Sequence, residues 1–453
     1  MNIIIAGCGK VGSTLLRKLA ADGHDLTLID LKKATLESAV EAYDVMGMEG
    51  NCASARVLRE AGVANAQLLI AVAGEDEVNL LCCMVAHGLN PDIRTIARIR
   101  DPEYVEQGRD MRELFNLSMI INPELQSARE MERLLKLPGF LRRDSFAKGR
   151  AQIVELRIDR ESKLCGVSLM EMYRIVKCRV LVCTVVRGGQ PIIPGGNFVL
   201  ESGDRIYVTA PTENLAVLTR NLGLQNRKVR KVLVGGGGRV SFYLAQLLQK
   251  GGADVTVIER SEERCRELAA ALPEVTVVRG DCSDRAELEA QNLSGCDAYM
   301  SLTGVDEMNM IASLYASGRG VAKVVTKISR QGSAEMADSL DVGSVVCPRE
   351  LSADSVVQYV RALDNTVGAA VSVHSFADEK AAASEFLVEE GTPNCGVPLK
   401  QLKLKQGILL ATIARDNTVE IPGGDSTIQP GDVVVVVSAG QDAPRSLGDI
   451  FAN

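Results

Sequence analysis

Gly7, Gly9 and Gly12 follow an apolar run, Asn2–Ala6, and open a stretch with helical spacing, Lys10–Ala21. Glycines so placed between a strand and a helix can receive a pyrophosphate. The first allows the tight turn, the second lets the phosphates reach the backbone, and the third lets helix and sheet approach closely. The helix start, with Cys8, Lys10 and Val11 around the glycines, offers unpaired N–H groups and the positive end of its dipole. Asp30 ends the next apolar run. Its carboxylate can accept from ribose hydroxyls and would repel a 2′-phosphate, which favours NAD over NADP. Asn51 ends the third run, as an adenine-edge contact or as a turn or helix cap. Ala73-Gly74 keeps the turn after the fourth run small, either for a ligand or simply as a βα turn. Arg98, late in the fifth, faces phosphate or pairs with an acid.

The whole constellation occurs twice. Gly236-Gly237-Gly238-Arg239-Val240-Ser241 matches Gly7–Gly12 at an offset of 229, and Glu259 matches Asp30 at the same offset. Asp281, Thr303-Gly304 and Lys327 stand where copy one has Asn51, Ala73-Gly74 and Arg98. Cys165-Gly166-Val167 meets Cys395-Gly396-Val397, and Ile193-Pro194-Gly195-Gly196 meets Ile421-Pro422-Gly423-Gly424. So constant a register marks a tandem duplication. The copies differ in chemistry: Ser241 replaces the third glycine, so helix and sheet should sit slightly further apart.

Positioning these residues requires alternating strands and helices. Strands are expected at Asn2–Ala6, Asp25–Ile29, Val45–Met48, Leu68–Val72, Arg94–Ile99 and Ser118–Ile121, with helices between them. A last helix should start after Asn122-Pro123 and stop at Pro138-Gly139. Short links between such elements imply right-handed βαβ units and a parallel sheet. From about Ala151 the pattern changes to short β-rich runs, Ile153–Ile158, Arg179–Val186 and Arg205–Thr209, punctuated by Gly/Pro turns. Leu409–Ile413 and Val433–Val437 repeat it. The fold class is therefore α/β: tandem Rossmann-like parallel-sheet domains, each followed by a small β-rich module. The expected boundaries are 1–140, 141–220, 229–372 and 373–453.

Composition excludes several classes. A net charge of −7 argues against a nucleic-acid binder. Arg227, Lys228, Arg230 and Lys231 form the strongest basic cluster, read as a solvated linker or a partner contact. No apolar run approaches the roughly 20 residues of a membrane span, and the first residues lack a signal peptide's pattern. None of the twelve cysteines forms a C-x-x-C pair, so reduced thiols in the cytosol are expected and no metal site. A dehydrogenase needs an acid or base beside the nicotinamide. His24, His87 and His374 have no evident catalytic partners, and no catalytic residue is assigned. Binding without chemistry is the simpler reading. An NAD-dependent oxidoreductase is the rival.

The order of parts, Gly7-Cys8-Gly9-Lys10-Val11-Gly12, Asp30, Asp76-Glu77-x-Asn79, Ala97-Arg98-Ile99-Arg100-Asp101-Pro102 and the Pro-Gly-Gly…Gly-Asp turns closely resemble the TrkA family of potassium-uptake regulators, which carry RCK domains. The resemblance spans essentially the whole chain. It implies a non-enzymatic, cytoplasmic subunit, peripheral on the inner face of the membrane. By that likeness it partners a membrane-embedded potassium-translocating subunit and forms a homo-oligomeric ring whose shape responds to nucleotide. NAD(H) is the expected ligand. ATP or ADP remains open, as does an ATP/ADP-sensing subunit of another transporter. Helices at Pro123–Lys136 and from about Pro348 are candidate subunit or hinge contacts, or ordinary domain helices.

Overall fold

Ile3, Ile4 and Ile5 expose at most 2% of their surface. Three consecutive buried residues in a strand mean both faces are covered, which requires helices on either side of the sheet. A computed structural model describes residues 1–136, 139–224, 228–338, 340–364, 370–377, 380–416, 418–440 and 443–452. Arg227 of the basic cluster and Pro138 of the expected helix stop lie outside them.

Copy one begins with strands β1 (Asn2–Ala6), β2 (Asp25–Asp30), β3 (Met46–Glu49), β4 (Leu68–Ala71), β5 (Arg94–Arg98) and β6 (Met119–Ile121). They form a parallel sheet in the order β3-β2-β1-β4-β5-β6. Between them run α1 (Lys10–Ala21), α2 (Lys33–Tyr43), α3 (Ala55–Glu60), α4 (Asp76–Leu89), α5 (Pro102–Glu106) and α6 (Gly108–Leu114), and α7 (Pro123–Lys136) follows. The order reverses between β1 and β4, so the ligand crevice of such a sheet opens at their carboxyl ends, where Gly7 and Ala73 lie.

The small module contains β7 (Arg142–Phe146), β8 (Ala151–Arg157), α8 (Met172–Val176), β9 (Leu181–Arg187), β10 (Gln190–Ile192), β11 (Arg205–Pro211) and α9 (Thr212–Leu222). Copy two repeats the parallel sheet with β12 (Lys231–Gly235), β13 (Asp254–Glu259), β14 (Thr276–Arg279), β15 (Ala298–Ser301), β16 (Lys323–Lys327) and β17 (Ser344–Val346) in the equivalent order. Its helices are α10 (Arg239–Lys250), α11 (Glu262–Ala271), α12 (Arg285–Ala290), α13 (Asp306–Gly318), α14 (Gln331–Asp338) and α15 (Pro348–Asp364). The second antiparallel sheet comprises β18 (Ala370–Phe376), β19 (Ala381–Leu387), β20 (Ile408–Arg415), β21 (Thr418–Glu420) and β22 (Val433–Ala439).

Spatial grouping does not follow chain order. One compact unit joins Met1–Ala128 with Cys347–Val360; the other joins Arg129–Val346 with Arg361–Asn453. In the first unit, Ala353, Val356, Val357 and Val360 of α15 are buried in the same core as Ile3, Val11, Leu15 and Leu16. Around that contact Lys18 pairs with Glu350 at 2.9 Å and with Asp354, and Arg17 reaches Glu350 at 3.3 Å. These carboxylates, working against burial, raise the Lys18 ammonium above its ordinary range. A helix encoded in copy two thus completes the core of copy one. Periodicity identifies such a helix but says nothing about which sheet it covers.

In the second unit the two antiparallel sheets share a core that includes Phe146, Ile153, Tyr207, Phe376, Ala383 and Val435. Tyr207 stacks on Phe376 with ring centroids 4.2 Å apart. Asp144 and His374, equivalent positions of the two copies, meet at 3.3 Å. Despite burial, Arg142 and a hydrogen bond from His374 hold the Asp144 carboxyl well below the usual range.

Candidate nucleotide site

The first glycine loop is shaped by clashes that any side chain would create. Gly7 has φ +108°, and a Cβ there would lie 2.8 Å from the Ala73 nitrogen. A Cβ on Gly12 would fall 1.9 Å from the Gly7 carbonyl oxygen. Both glycines are therefore required by the chain's own packing. Gly9 is different. It caps the start of α1, and a Cβ there would meet no atom within 4 Å. Packing inside the chain does not explain this glycine. Gly238 repeats the case at α10.

Asp30 pins the loop. Its Oδ2 accepts from the Cys8 N–H at 2.7 Å and its Oδ1 from the Lys32 N–H at 2.9 Å. In copy two, Glu259 Oε2 accepts from Gly237 N–H at 2.7 Å and Oε1 from Ser261 N–H at 2.8 Å. Each carboxylate oxygen has a second lone pair, so ribose hydroxyls can still be accepted. Cys8 is buried, and burial together with Asp30 raises its thiol pKa. Val11 and Val240 turn into their cores, leaving only their backbones for a phosphate, while Lys10 and Arg239 are exposed at the helix starts.

Asn51 Oδ1 accepts from the Ala53 N–H at 2.9 Å, an Asx turn, and Asp281 Oδ1 does the same for Ser283 at 2.9 Å. Both side chains thus order their loops at the strand ends. Arg98 donates from Nη2 to the Ala73 carbonyl, and Lys327 Nζ donates to the Leu302 carbonyl at 3.0 Å. Each cation braces the β4–α4 or β15–α13 turn, the one carrying Ala73-Gly74 or Thr303-Gly304.

The residues that organise those turns are Asp76 and Asn79, which the sequence marks by repeat and resemblance but does not assign to the site. Asn79 is fully buried. Its Oδ1 accepts from Ala73 N–H at 2.7 Å, and its Nδ2 donates to the carbonyls of Ala73 at 3.3 Å and Arg98 at 3.0 Å. Asp76 Oδ2 accepts from the N–H groups of Arg100 at 2.7 Å and Asp101 at 2.8 Å. Asn309 and Asp306 repeat both arrangements in copy two. Sequence reading also missed Arg264, whose Nε donates to the Gly237 carbonyl at 2.8 Å; Thr35 holds that place in copy one.

Ser241 resolves the difference between the loops. Its Oγ donates to the Gly236 carbonyl at 2.5 Å, where copy one has only the Gly12 contact. The extra atoms are accommodated by a hydrogen bond, so the looser packing expected from sequence is offset by a new link. Gly12→Ala has no such outlet. We expect it to weaken NADH binding at the first site about fivefold or more, the equivalent of the lower end of an overpacking cost of roughly 1–3 kcal/mol, read by fluorescence titration.

The TrkA-N domain family matches residues 3–123 and again 232–348, and the TrkA-C domain family matches 153–223 and 383–445. A protein of Archaeoglobus fulgidus, named Trk system potassium uptake protein TrkA homolog, is 31% identical over 451 residues, covering 100% of both chains. This chain belongs to the TrkA family. The Haemophilus influenzae Trk system potassium uptake protein TrkA is likewise 31% identical, covering 96% of this chain and 95% of its own. Among solved structures, the GsuK RCK domain superposes with a TM-score of 0.60 at 18% identity, covering 97% of this TrkA chain and 92% of that one. The GsuK channel bound to NAD also gives 0.60, at 17% identity, covering 97% and 76%. Those likenesses fix the RCK fold. Among the described residues of this TrkA chain, no helix is long and apolar enough to cross a membrane.

Proposed function

We propose that this TrkA protein is the nucleotide-responsive regulatory subunit of a potassium-uptake system, binding NAD(H) at two unequal sites and performing no chemistry on it. The observation that carries the reading is Gly9, and Gly238 after it: glycines capping helix starts, unexplained by internal packing, each beside a carboxylate-pinned loop. The family relatives' names supply the transport system, and the NAD-bound GsuK channel supplies a precedent on the same fold. The protein acts at the cytoplasmic face on a membrane-embedded potassium-translocating partner, as a homo-oligomeric ring. Nucleotide shifts the ring between states that differ in affinity for it, and by linkage changes the partner's flux.

The chain has no Trp, so NADH emission stands against a low protein background. Asp30→Ala removes the anchor of the first loop and the ribose acceptor. NADH affinity at that site should fall by at least about tenfold, the worth of one to two charge-assisted hydrogen bonds. Retained affinity would mean that the nucleotide lies elsewhere. Competition by ATP and ADP ranks the ligands, and potassium flux in vesicles holding the membrane partner tests regulation.

A further inference from the structure

The two small modules meet through their shared apolar core and through polar contacts around it. Arg142 Nη1 donates to the Ser375 carbonyl at 2.9 Å, Arg179 Nη2 to the Ile421 carbonyl at 2.8 Å, and Lys380 Nζ to the Gly189 carbonyl at 3.3 Å. Arginine and lysine ordinarily stay charged to about pH 10 or beyond, and carbonyls do not titrate. A fourth contact is of another kind. His374 Nδ1 lies 3.3 Å from Asp144 Oδ1, and histidine ordinarily changes charge near pH 6.5. Both residues stand on edge strands, β18 and β7. They occupy equivalent positions, 230 residues apart, so the duplicated strand presents an acid in one copy and a base in the other.

We propose that His374 and Asp144 form a pH-sensitive latch between the two small modules, closed when acid protonates His374. The side chain of His374 is 25% exposed and that of Asp144 13%. Water can therefore deliver the proton, while the pair itself is mostly shielded from solvent. Phe146 meets the imidazole edge-to-face, with ring centroids 4.8 Å apart and planes at 72°. That packing holds the ring beside the carboxylate. Asp144 is ionised at neutral pH: despite burial, Arg142 and His374 keep its carboxyl well below the usual range. The interaction is reciprocal, so the carboxylate favours the imidazolium.

The neighbouring charges leave that preference in place. On β7, Arg142 opposes protonation of His374. Its Nε holds Asp144 Oδ2 at 2.9 Å, and its Nη2 shares Oδ1 at 3.3 Å. Glu155, the register partner of Arg142 on β8, answers part of that positive charge. Glu155 also pairs with Arg205 of β11 at 3.4 Å. Tyr207 on β11 is of a type ordinarily neutral below about pH 10. On β19 the residue opposite His374 is Ala383, and Glu385 accepts from Ser372 Oγ at 3.0 Å. β18 itself carries no other titratable side chain. The direct carboxylate contact therefore decides the sign, and the folded chain holds the His374 proton more tightly than the unfolded chain. Such a latch is fully effective below pH 6.5 and is lost as pH rises through the folded pKa.

The test uses the full chain with carbon-13-labelled histidine. The sequence holds three histidines, so His374→Gln identifies the His374 resonance by its loss. His374 should titrate at least about one pH unit above 6.5, a tenfold gain in proton affinity or about 1.4 kcal/mol. In Asp144→Asn it should return to about 6.5 or below. By urea midpoints, the parent should lose that same amount relative to His374→Gln as pH rises from about 6.5 to 8.5. Lys323, whose pKa burial lowers to about 7, acts in the opposite sense but is common to both proteins and cancels. Amides of β7 and β18, corrected for intrinsic exchange, should be better protected from hydrogen exchange at pH 6 than at pH 8 in the parent, and equally protected at both in His374→Gln. Titration of His374 at or below 6.5 overturns the proposal, as does a raised pKa with protection that ignores pH. If Asp144→Asn does not fold, the parent and His374→Gln decide between these outcomes by themselves.

Discussion

Between pH 6.5 and 8.5 the parent chain should gain roughly 2 kcal/mol of stability relative to Lys323→Met. Lys323 opens β16 and is 3% exposed. Its Nζ donates to the Phe140 carbonyl at 2.6 Å and to Ser344 Oγ at 2.8 Å. Burial pushes its pKa from 10.5 down to about 7, although the carboxylates of Glu155 and Glu130 favour the charged form. Below pH 6.5 the ammonium is charged in both folded and unfolded chains, and the folded state bears the full desolvation cost. Above pH 7 the folded chain releases the proton while the unfolded chain holds it to about 10.4, so stability rises with pH across that interval. Buried thiols act in the opposite sense above roughly pH 8.5. Cys183, for example, is raised by burial to about 12, and the unfolded chain loses such protons first. Subtracting the Met variant cancels that contribution. Urea midpoints at constant slope provide the measurement, and parallel pH curves for the two proteins would refute the assignment.

Lys323 also shows where sequence reading stops. A lysine opening a strand is ordinarily exposed, and its counterpart Arg94 is. Burial here comes from Phe140, some 180 residues earlier, which no local pattern reports. The strands β7 and β18 escaped for a related reason. Arg142, Asp144 and His374 break apolar alternation, yet they answer one another across the paired sheets. By contrast, the central Rossmann strands were legible because parallel strands buried on both faces read as continuous apolar runs; strand ends moved by only a residue, as in Leu68–Ala71 against the expected Leu68–Val72. The glycine loops and their acids were legible too, because the glycine spacing and the acid that pins it fall within one βαβ unit, although the clash that demands Gly7 is with Ala73 beyond β4. The second-copy helix α15 was legible as a helix, but its place on the first sheet is tertiary information.

The same distinction bears on the site. Glycine spacing identifies where phosphate would approach. It does not reveal that the turn carrying Ala73-Gly74 is held by one fully buried amide. Sequence assigned Arg98 and Lys327 to phosphate or to an acid; the structure finds both donating to backbone carbonyls of the neighbouring turn. Their charge lies near the crevice, but its direct hydrogen bonds support the scaffold. Residues that look like ligand contacts at strand ends can therefore act through the turns they brace.

Asn79→Leu consequently has the largest expected effect on the first site. The substitution preserves much of the volume but removes the acceptor for Ala73 N–H and the donor for Arg98 O. Two part-buried backbone groups are left to seek new partners, at roughly 1–3 kcal/mol each. The total, on the order of 4 kcal/mol, is a large share of a domain's stability. Gly7 lies so close to Ala73 that a Cβ would meet it at 2.8 Å, so loosening this turn also disturbs the glycine loop. NADH affinity at the first site should fall more than about tenfold, and urea should unfold the first unit earlier. Asn309→Leu should do the same in copy two, where Asn309 Oδ1 accepts from Thr303 N–H at 2.9 Å and from Thr303 Oγ1 at 2.7 Å. Each variant should spare the other site, because the two amides belong to different compact units. Equal loss at both sites from either single change would show that the turns are coupled through the assembly. Unchanged binding with lowered stability would confine the amides to a structural role.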